Sequence, residues 1–184
     1  MSLLVVGDSQ VKYIDLGTAG TCMALPGRRI QDVFSLAEEQ IKAAAVILFH
    51  VGTNNVGTNE DPDQILLQYR SLLNATQRAN PVARLVVTAV LPRHSSKFNA
   101  ASEDYLRLNA VAEEVNALLP GLCAELRVCF CSFWTSFLNR GFISRDGLHL
   151  SPSGVAFLRS AYSSHAPKIS SRSGCAPGFT LAPN

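Results

Sequence analysis

Five short apolar runs, rich in β-branched residues, alternate along the chain with segments of helical periodicity. The runs lie at residues 3–6, 21–24, 46–50, 85–90 and 128–133. Apolar runs of this length are typical of strands that are buried on both faces. Because right-handed crossovers between parallel strands place helices on both sides of a sheet, the alternation predicts an α/β fold. We expect a three-layer α/β/α sandwich around a parallel five-stranded sheet.

Three of the helical segments carry start signals. The first begins at Asp61 and Pro62, where an N-cap acid precedes a first-turn proline. The second begins at Ser102, and the third spans about residues 152–162 with Ser151 as its cap. These starts fit helices that connect or follow the strands of the predicted sheet.

The end of the chain has a different composition. Residues 165–184 are rich in Pro, Gly and Ser and show no apolar periodicity. Such segments cannot bury enough apolar surface to fold by themselves. We therefore expect one domain over residues 1–164 and a flexible tail or linker over residues 165–184.

The charge balance argues against nucleic-acid binding by the predicted domain. Lys and Arg number 16 against 14 Asp and Glu, and two of the basic residues, Lys168 and Arg172, lie in the predicted tail. The remaining charges are balanced, and a balanced domain lacks the basic surface that phosphate backbones require. No nucleic-acid partner is expected for the folded part.

The cysteines and the hydropathy pattern indicate a soluble, cytoplasmic chain. The five cysteines are odd in number and contain no C-x-x-C pair, so we expect reduced, mostly buried thiols and no zinc site. The longest apolar stretch, residues 43–49, is too short to span a bilayer, and no leader pattern precedes residue 3.

Polar residues follow the predicted strands at the points where a site is expected. Ser9 follows the first strand, Gly27 follows the second, and Asn54 lies in a glycine-flanked loop after the third. Asp146 and His149 lie just before the last helix. Because ligands of open α/β sheets bind beyond the carboxyl ends of the strands, these residues are expected at one edge of the sheet.

Each of these residues, taken alone, is most simply a turn or loop residue. Together they supply the parts of an acyl-transfer site. Ser9 is a candidate nucleophile, His149 its base, and Asp146 the acid that orients the base. The backbone N–H groups of Ser9 and Gly27 and the side-chain amide of Asn54 are candidate donors to an oxyanion.

These motifs, in this order, resemble those of the SGNH, or GDSL, hydrolase family. The segments that carry the resemblance are "GDS" at residues 7–9, "PGRRIQDV", "HVGTN" and "DGLHLSPSG", and it extends over about residues 3–162. The resemblance implies a flavodoxin-like fold and a carboxylic ester hydrolase without cofactor or metal. It also implies a catalytic triad of Ser9, Asp146 and His149 with an oxyanion hole formed by Ser9, Gly27 and Asn54.

One position departs from the pattern of many family members. They have Asn-Asp in the third motif, whereas this chain has Asn54 followed by Asn55. Members similar to the platelet-activating-factor acetylhydrolase catalytic subunits share the Gly-Thr-Asn-Asn sequence, so the departure is compatible with activity. We expect it to change how the loop is braced. The motifs are also similar to the esterase domain of the first open-reading-frame protein of LINE-type retrotransposons.

The substrate is less constrained by the sequence. An open site on a chain with no room for a lid favours short acyl esters such as acetyl esters, and the expected partner is a small acyl-ester or lipid substrate. Five aromatic residues before the last motif either line an acyl pocket or fill the core under a loop. They are Phe130, Phe133, Trp134, Phe137 and Phe142.

Two alternatives to a dedicated esterase stay open. One is a retrotransposon-encoded accessory domain, as part of a longer chain, that acts mainly in lipid, peripheral-membrane or ribonucleoprotein association. The other is a binding module that has the same fold without catalysis.

Overall fold

The computed structural model describes residues 3–58, 60–96 and 104–171, with side chains as far as residue 164. Five parallel strands form one sheet in the order β2-β1-β3-β4-β5. The strands are β1 (Leu3–Gly7), β2 (Gly20–Ala24), β3 (Val46–His50), β4 (Arg84–Thr88) and β5 (Cys129–Cys131). The predicted parallel five-stranded sheet is confirmed. Its order reverses between β1 and β3, and in open α/β sheets a ligand site is expected beyond the carboxyl ends of the two strands at such a reversal.

Six α-helices occur in the described part of the chain. They are α1 (Ile30–Ala43), α2 (Thr53–Val56), α3 (Pro62–Ala79), α4 (Asp104–Glu125), α5 (Trp134–Phe137) and α6 (Pro152–Ser171). Helices α1, α3 and α4 pack side by side over one face of the sheet, and α6 covers the other face. The three-layer α/β/α prediction is confirmed.

Strand residues alternate between the two cores, as the pleat requires. Leu4 and Val6 of β1 face α1, α3 and α4, whereas Leu3 and Val5 face α6. All four side chains are buried, which explains why β1 reads as a continuous apolar run.

The aromatic residues that precede the last motif belong mainly to the cores. Phe137 is fully buried, and Phe133 contacts both Phe157 and Tyr162 of α6 edge to face. Phe130 and Trp134 pack on the opposite core. Of the two interpretations of this cluster, the structure supports core packing.

The last helix is longer than its apolar pattern indicates. It was predicted to end near Tyr162, whereas the helical backbone of α6 continues to Ser171. Apolar periodicity marks only the part of a helix that packs on a sheet, so it cannot locate an end that extends beyond the sheet. Residues 172–184 lie outside the described residues, as does the predicted helix start at Ser102, and the domain boundary at residue 164 stays a prediction.

The expectation of reduced thiols holds at three positions and is wrong at a fourth. Cys22, Cys123 and Cys131 are free, whereas Cys129 is disulfide-bonded. Spacing along the sequence cannot reveal such a bond, because pairing depends on which Cβ atoms approach each other in space. Among the described residues, no helix has the length and hydropathy needed to cross a membrane.

Candidate active site

The first strand ends in a tight turn that presents Ser9. Asp8 caps the 3₁₀ helix Ser9–Val11, since its Oδ1 accepts a hydrogen bond from the Gln10 backbone N–H at 3.0 Å. A Cβ on Gly7 would lie 2.6 Å from the Val11 side chain and 2.8 Å from the carbonyl oxygen of β3 residue His50, so only glycine fits there. The turn leaves the Ser9 side chain half-buried at the carboxyl edge of the sheet.

Ser9, His149 and Asp146 form a hydrogen-bonded series. The Ser9 Oγ lies 3.0 Å from His149 Nε2, and His149 Nδ1 lies 2.7 Å from Asp146 Oδ2. A carboxylate only accepts hydrogen bonds, so Nδ1 carries the proton and Nε2 is the acceptor for the Ser9 hydroxyl. The three residues therefore have the geometry in which a histidine withdraws the proton of a serine hydroxyl.

The Asp146 carboxylate is held by several donors of its own turn. Its Oδ1 accepts hydrogen bonds from the Ser144 hydroxyl at 2.7 Å and from the backbone N–H groups of Leu148 and His149 at 2.8 and 2.9 Å. Burial alone raises the pKa of Asp146, but these hydrogen bonds outweigh it and hold the pKa well below its usual range. Asp146 is therefore ionised at every pH at which His149 could act as a base.

A glycine allows this turn to pack against the loop after β4. Gly147 has a φ of +79°, and a Cβ there would lie 2.1 Å from the His94 carbonyl oxygen. The His94 backbone N–H in turn donates to the Gly147 carbonyl at 2.8 Å. The Asp146–His149 turn is thus fixed by the neighbouring loop as well as by its own hydrogen bonds.

Gly27 and Asn54 lie in two adjoining loops. Gly27 has a φ of +73° and open space where a side chain would project. The Asn54 Nδ2 donates to the Arg28 carbonyl at 2.8 Å, which ties the loop after β3 to the loop after β2. The hydrogen bonds of the described residues do not join Gly27 or Asn54 to Ser9, so their role toward an oxyanion stays a prediction.

Asn55 is a buried side chain that connects the same two loops. It is fully buried, its Oδ1 accepts from the Ile30 backbone N–H at 3.0 Å, and its Nδ2 contacts Gln31, Glu60 and Gln68. The Ile30 N–H belongs to the first turn of α1, where backbone donors have no partner within the helix. The sequence marked Asn55 only as a departure at which bracing would change, and the structure supplies the partners.

Asp8 is a second carboxyl group near the site. It is 1% exposed. Burial raises the pKa of Asp8 to about 6, and the backbone N–H groups of Gln10 and Thr53 and the charges of His149 and Arg93 offset only part of this rise. Nothing in the sequence signals the complete burial of Asp8, because Gly-Asp-Ser at residues 7–9 is an ordinary turn sequence.

The described side chains include no group of three or more His, Cys, Asp or Glu residues arranged to hold a metal ion. The side chains that the structure brings together at this edge of the sheet are those of Ser9, His149 and Asp146. Side-chain exposures of 44% for His149 and 41% for Asp146 leave the site open to solvent.

The chain matches a known protein family in sequence. The profile of the GDSL-like lipase/acylhydrolase family matches residues 4–157. No protein with a curated description matches the chain in sequence.

Several solved structures are similar to this chain, and those with a TM-score near 0.7 share its fold. A putative platelet activating factor protein from Streptococcus pneumoniae is 21% identical, with a TM-score of 0.70 over 90% of this chain and 83% of that chain. An acetyl esterase mutant solved with an acetate ion is 19% identical, with a TM-score of 0.68 over 92% of this chain and 98% of that one. The esterase domain of the ORF1 protein of the zebrafish ZfL2-1 retrotransposon is 27% identical over 91% and 99% of the two chains, with a TM-score of 0.46.

Proposed function

Because the chain belongs to the GDSL-like lipase/acylhydrolase family, whose members are ester hydrolases, we propose that it hydrolyses short-chain acyl esters, acetyl esters above all, with Ser9 as nucleophile. The observation that carries the proposal is the continuous series from Ser9 Oγ to His149 at 3.0 Å and from His149 to Asp146 at 2.7 Å.

The reaction has two steps. His149 Nε2 takes the Ser9 proton as Oγ attacks the ester carbonyl, and the imidazolium then donates that proton to the departing alkoxide. The acyl group stays on Ser9 as an ester. A water molecule, deprotonated by His149 in the same way, attacks this ester and releases the carboxylic acid and the free Ser9 hydroxyl.

The oxyanion of each tetrahedral intermediate requires fixed donors. The proposed donors are the backbone N–H groups of Ser9 and Gly27 and the Asn54 side-chain amide. The Asn54 Nδ2 has two protons. One is donated to the Arg28 carbonyl, and the second can be donated to the oxyanion. The open space at Gly27 is consistent with a substrate oxygen near its N–H.

Two observations favour a short acyl group. The acid and base are more than a third exposed, so the site has little wall around it. The nearby aromatic residues Phe133 and Phe137 are in the core and so are not available as an acyl pocket. The similarity to an acetyl esterase is in keeping with this substrate class.

The cysteines bear on the cellular compartment in two opposite ways. Free thiols at Cys22, Cys123 and Cys131 favour a reducing compartment such as the cytoplasm, whereas the disulfide-bonded Cys129 is more typical of an oxidising one. The proposed activity does not depend on the choice, since none of these cysteines belongs to the triad.

The test is hydrolysis of p-nitrophenyl acetate by the chain, by Ser9→Ala and by Ser71→Ala, the last a control at an exposed serine of α3. We expect the unchanged chain and the Ser71→Ala control to hydrolyse the ester and Ser9→Ala to be inactive. In the unchanged chain, a fluorophosphonate probe should label Ser9. Activity that survives in Ser9→Ala, or the absence of both turnover and labelling, would overturn the proposal. The second result would favour a binding module.

A further inference from the structure

A buried glutamine bridges the nucleophile turn and the histidine turn. The Gln10 Nε2 donates to the Leu148 carbonyl at 3.0 Å, and its Oε1 lies 3.2 Å from His50 Nε2. Gln10 follows Ser9 directly, and Leu148 directly precedes His149. Apart from the Ser9–His149 contact itself, this is the hydrogen bond that joins the two turns among the described residues.

The orientation of the Gln10 amide is determined by its neighbours. The Leu148 carbonyl can only accept, so the amide nitrogen must face it, and the amide oxygen then faces His50. This oxygen needs a donor, which requires the proton of His50 to be on Nε2. A flipped amide would set its oxygen against the Leu148 carbonyl oxygen, with no proton between them.

The opposite side of His50 accepts from a hydroxyl group. Its Nδ1 has one lone pair and lies 2.8 Å from Tyr162 Oη and 2.9 Å from Thr88 Oγ1, whose hydroxyl can instead donate to the Phe49 carbonyl at 3.3 Å. Burial lowers the pKa of His50 to about 4, so the ring is neutral at neutral pH and keeps one N–H and one acceptor. The hydrogen bonds therefore run in one direction, from a hydroxyl group through His50 and Gln10 to the Leu148 carbonyl.

Every side chain of this series is almost completely buried. Relative exposures are 3% for Gln10, 2% for His50 and Tyr162, and 1% for Thr88. The groups cannot reach an ester at the solvent-exposed triad, so they are not catalytic residues. A buried polar group that loses its partner is costly, so the series holds its members in fixed positions.

We propose that Gln10 and His50 are positioning residues that set the separation of the Ser9 hydroxyl and the His149 imidazole by fixing the Leu148 carbonyl. The inference rests on the proposed esterase function. It assigns to the series a role in the rate of the chemical step, because a displacement of about 1 Å in reacting groups lowers a rate by about 10²-fold.

The first variant is Gln10→Met, which keeps the length of the side chain and removes both hydrogen bonds. We expect kcat for p-nitrophenyl acetate to fall by about 10–10²-fold with KM nearly unchanged. The matched control is Asn80→Leu. The Asn80 amide is also buried and donates to the carbonyls of Ile41 and Ala44, beside the amino ends of the strands. Its loss should lower stability and leave kcat intact.

The second variant, Gln10→Glu, tests positioning even where Gln10→Met does not fold. When the introduced carboxyl group is protonated, it can donate to the Leu148 carbonyl and accept from His50, whereas the ionised carboxylate cannot donate. We expect the kcat of this variant, divided by that of the wild type at the same pH, to rise as pH falls from about 8 to about 5.5, the range in which a buried carboxyl group takes up its proton. A purely electrostatic effect of the new charge would stabilise the His149 imidazolium and lower the ratio in this range.

The outcomes separate the two proposals. Wild-type hydrolysis together with an unchanged kcat in Gln10→Met, or a flat or falling ratio in Gln10→Glu, overturns the positioning role alone. A wild-type chain that neither hydrolyses the ester nor labels at Ser9 overturns the proposed function and this inference with it.

Discussion

The acid and the base of the proposed triad belong to one turn: Asp146 Oδ2 accepts from His149 Nδ1 at 2.7 Å across three positions of sequence. The same carboxylate accepts the His149 backbone N–H through its other oxygen. The imidazole is thereby held at both its ring and its backbone by a single side chain.

The first prediction concerns Asp146→Asn. The asparagine can keep its oxygen on the turn donors, so its NH₂ group then faces His149 Nδ1 and favours the tautomer with a proton on Nε2, which cannot accept from Ser9. We expect kcat to fall by about 10⁴-fold. Ser144→Ala, which removes one donor to Asp146 Oδ1, is the comparison and should cost far less. Steady-state assays of both variants with p-nitrophenyl acetate measure kcat. A small decrease of kcat in Asp146→Asn would contradict the role assigned to Asp146.

The second prediction concerns Asn54→Ala. The oxyanion carries full charge only after attack, so loss of a donor should lower kcat by about 10²–10³-fold and leave KM nearly unchanged. Initial rates over a range of ester concentrations measure both constants. A rise in KM at constant kcat would assign Asn54 to ground-state binding instead.

The third prediction concerns Asn55→Ala and stability. The substitution leaves the Ile30 N–H without its acceptor in a buried site, so we expect the free energy of unfolding to fall by about 1–3 kcal/mol. Urea denaturation measures the change, with the half-buried Asn54→Ala as the matched control. An equal loss in both variants would show that Asn55 is not the principal brace of the two loops.

The fourth prediction concerns Asp8 and pH. Its pKa rises from an ordinary 3.8 to about 6 in the folded chain. Between these values the folded state binds a proton that the unfolded state has lost, so stability falls as pH rises, by about 3 kcal/mol in all. Asp8→Asn removes the titration and keeps an acceptor for the Gln10 N–H.

We therefore expect Asp8→Asn to match the wild type in stability near about pH 3.5 and to exceed it at about pH 8, on either side of the two pKa values. Thermal or urea unfolding at the two pH values is the measurement. Asp63→Asn, at an exposed acid in the first turn of α3, controls for the loss of one negative charge. A wild-type advantage at the higher pH would mean that the ionised Asp8 stabilises the fold.

The fifth prediction concerns acyl length. A solvent-open site gains little from a long acyl chain, so kcat/KM should fall from acetyl and butyryl to decanoyl p-nitrophenyl esters. The assay is run below the solubility limit of each ester. A rising series would require an apolar groove that the packed Phe133 and Phe137 do not supply.

The sequence contains enough information for the fold and for the positions of the proposed triad residues at one sheet edge. The apolar runs indicate where each strand ends to within about two residues, and Ser9 directly follows the first of them, whereas the Asp146–His149 pair is assigned to this edge from its motif before the last helix. The connections of Gln10 to His50 and to Leu148 could not be read in the same way, because the partners are 40 and 138 positions away. The burial of Asp8 and the disulfide at Cys129 likewise depend on tertiary approach, which a single sequence does not display.

Ser9 and His149 are separated by 140 positions, at nearly opposite ends of the folded chain. During synthesis, a nascent chain that has already completed four of its five strands still lacks its base, since His149 follows β5. If the proposed triad is correct, we expect no hydrolysis from a chain that ends before His149, and full activity only once α6, which contributes Leu158 and Tyr162 to the second core, has packed on the sheet. Ester turnover by ribosome-bound chains of increasing length would therefore time the closure of this face of the sheet.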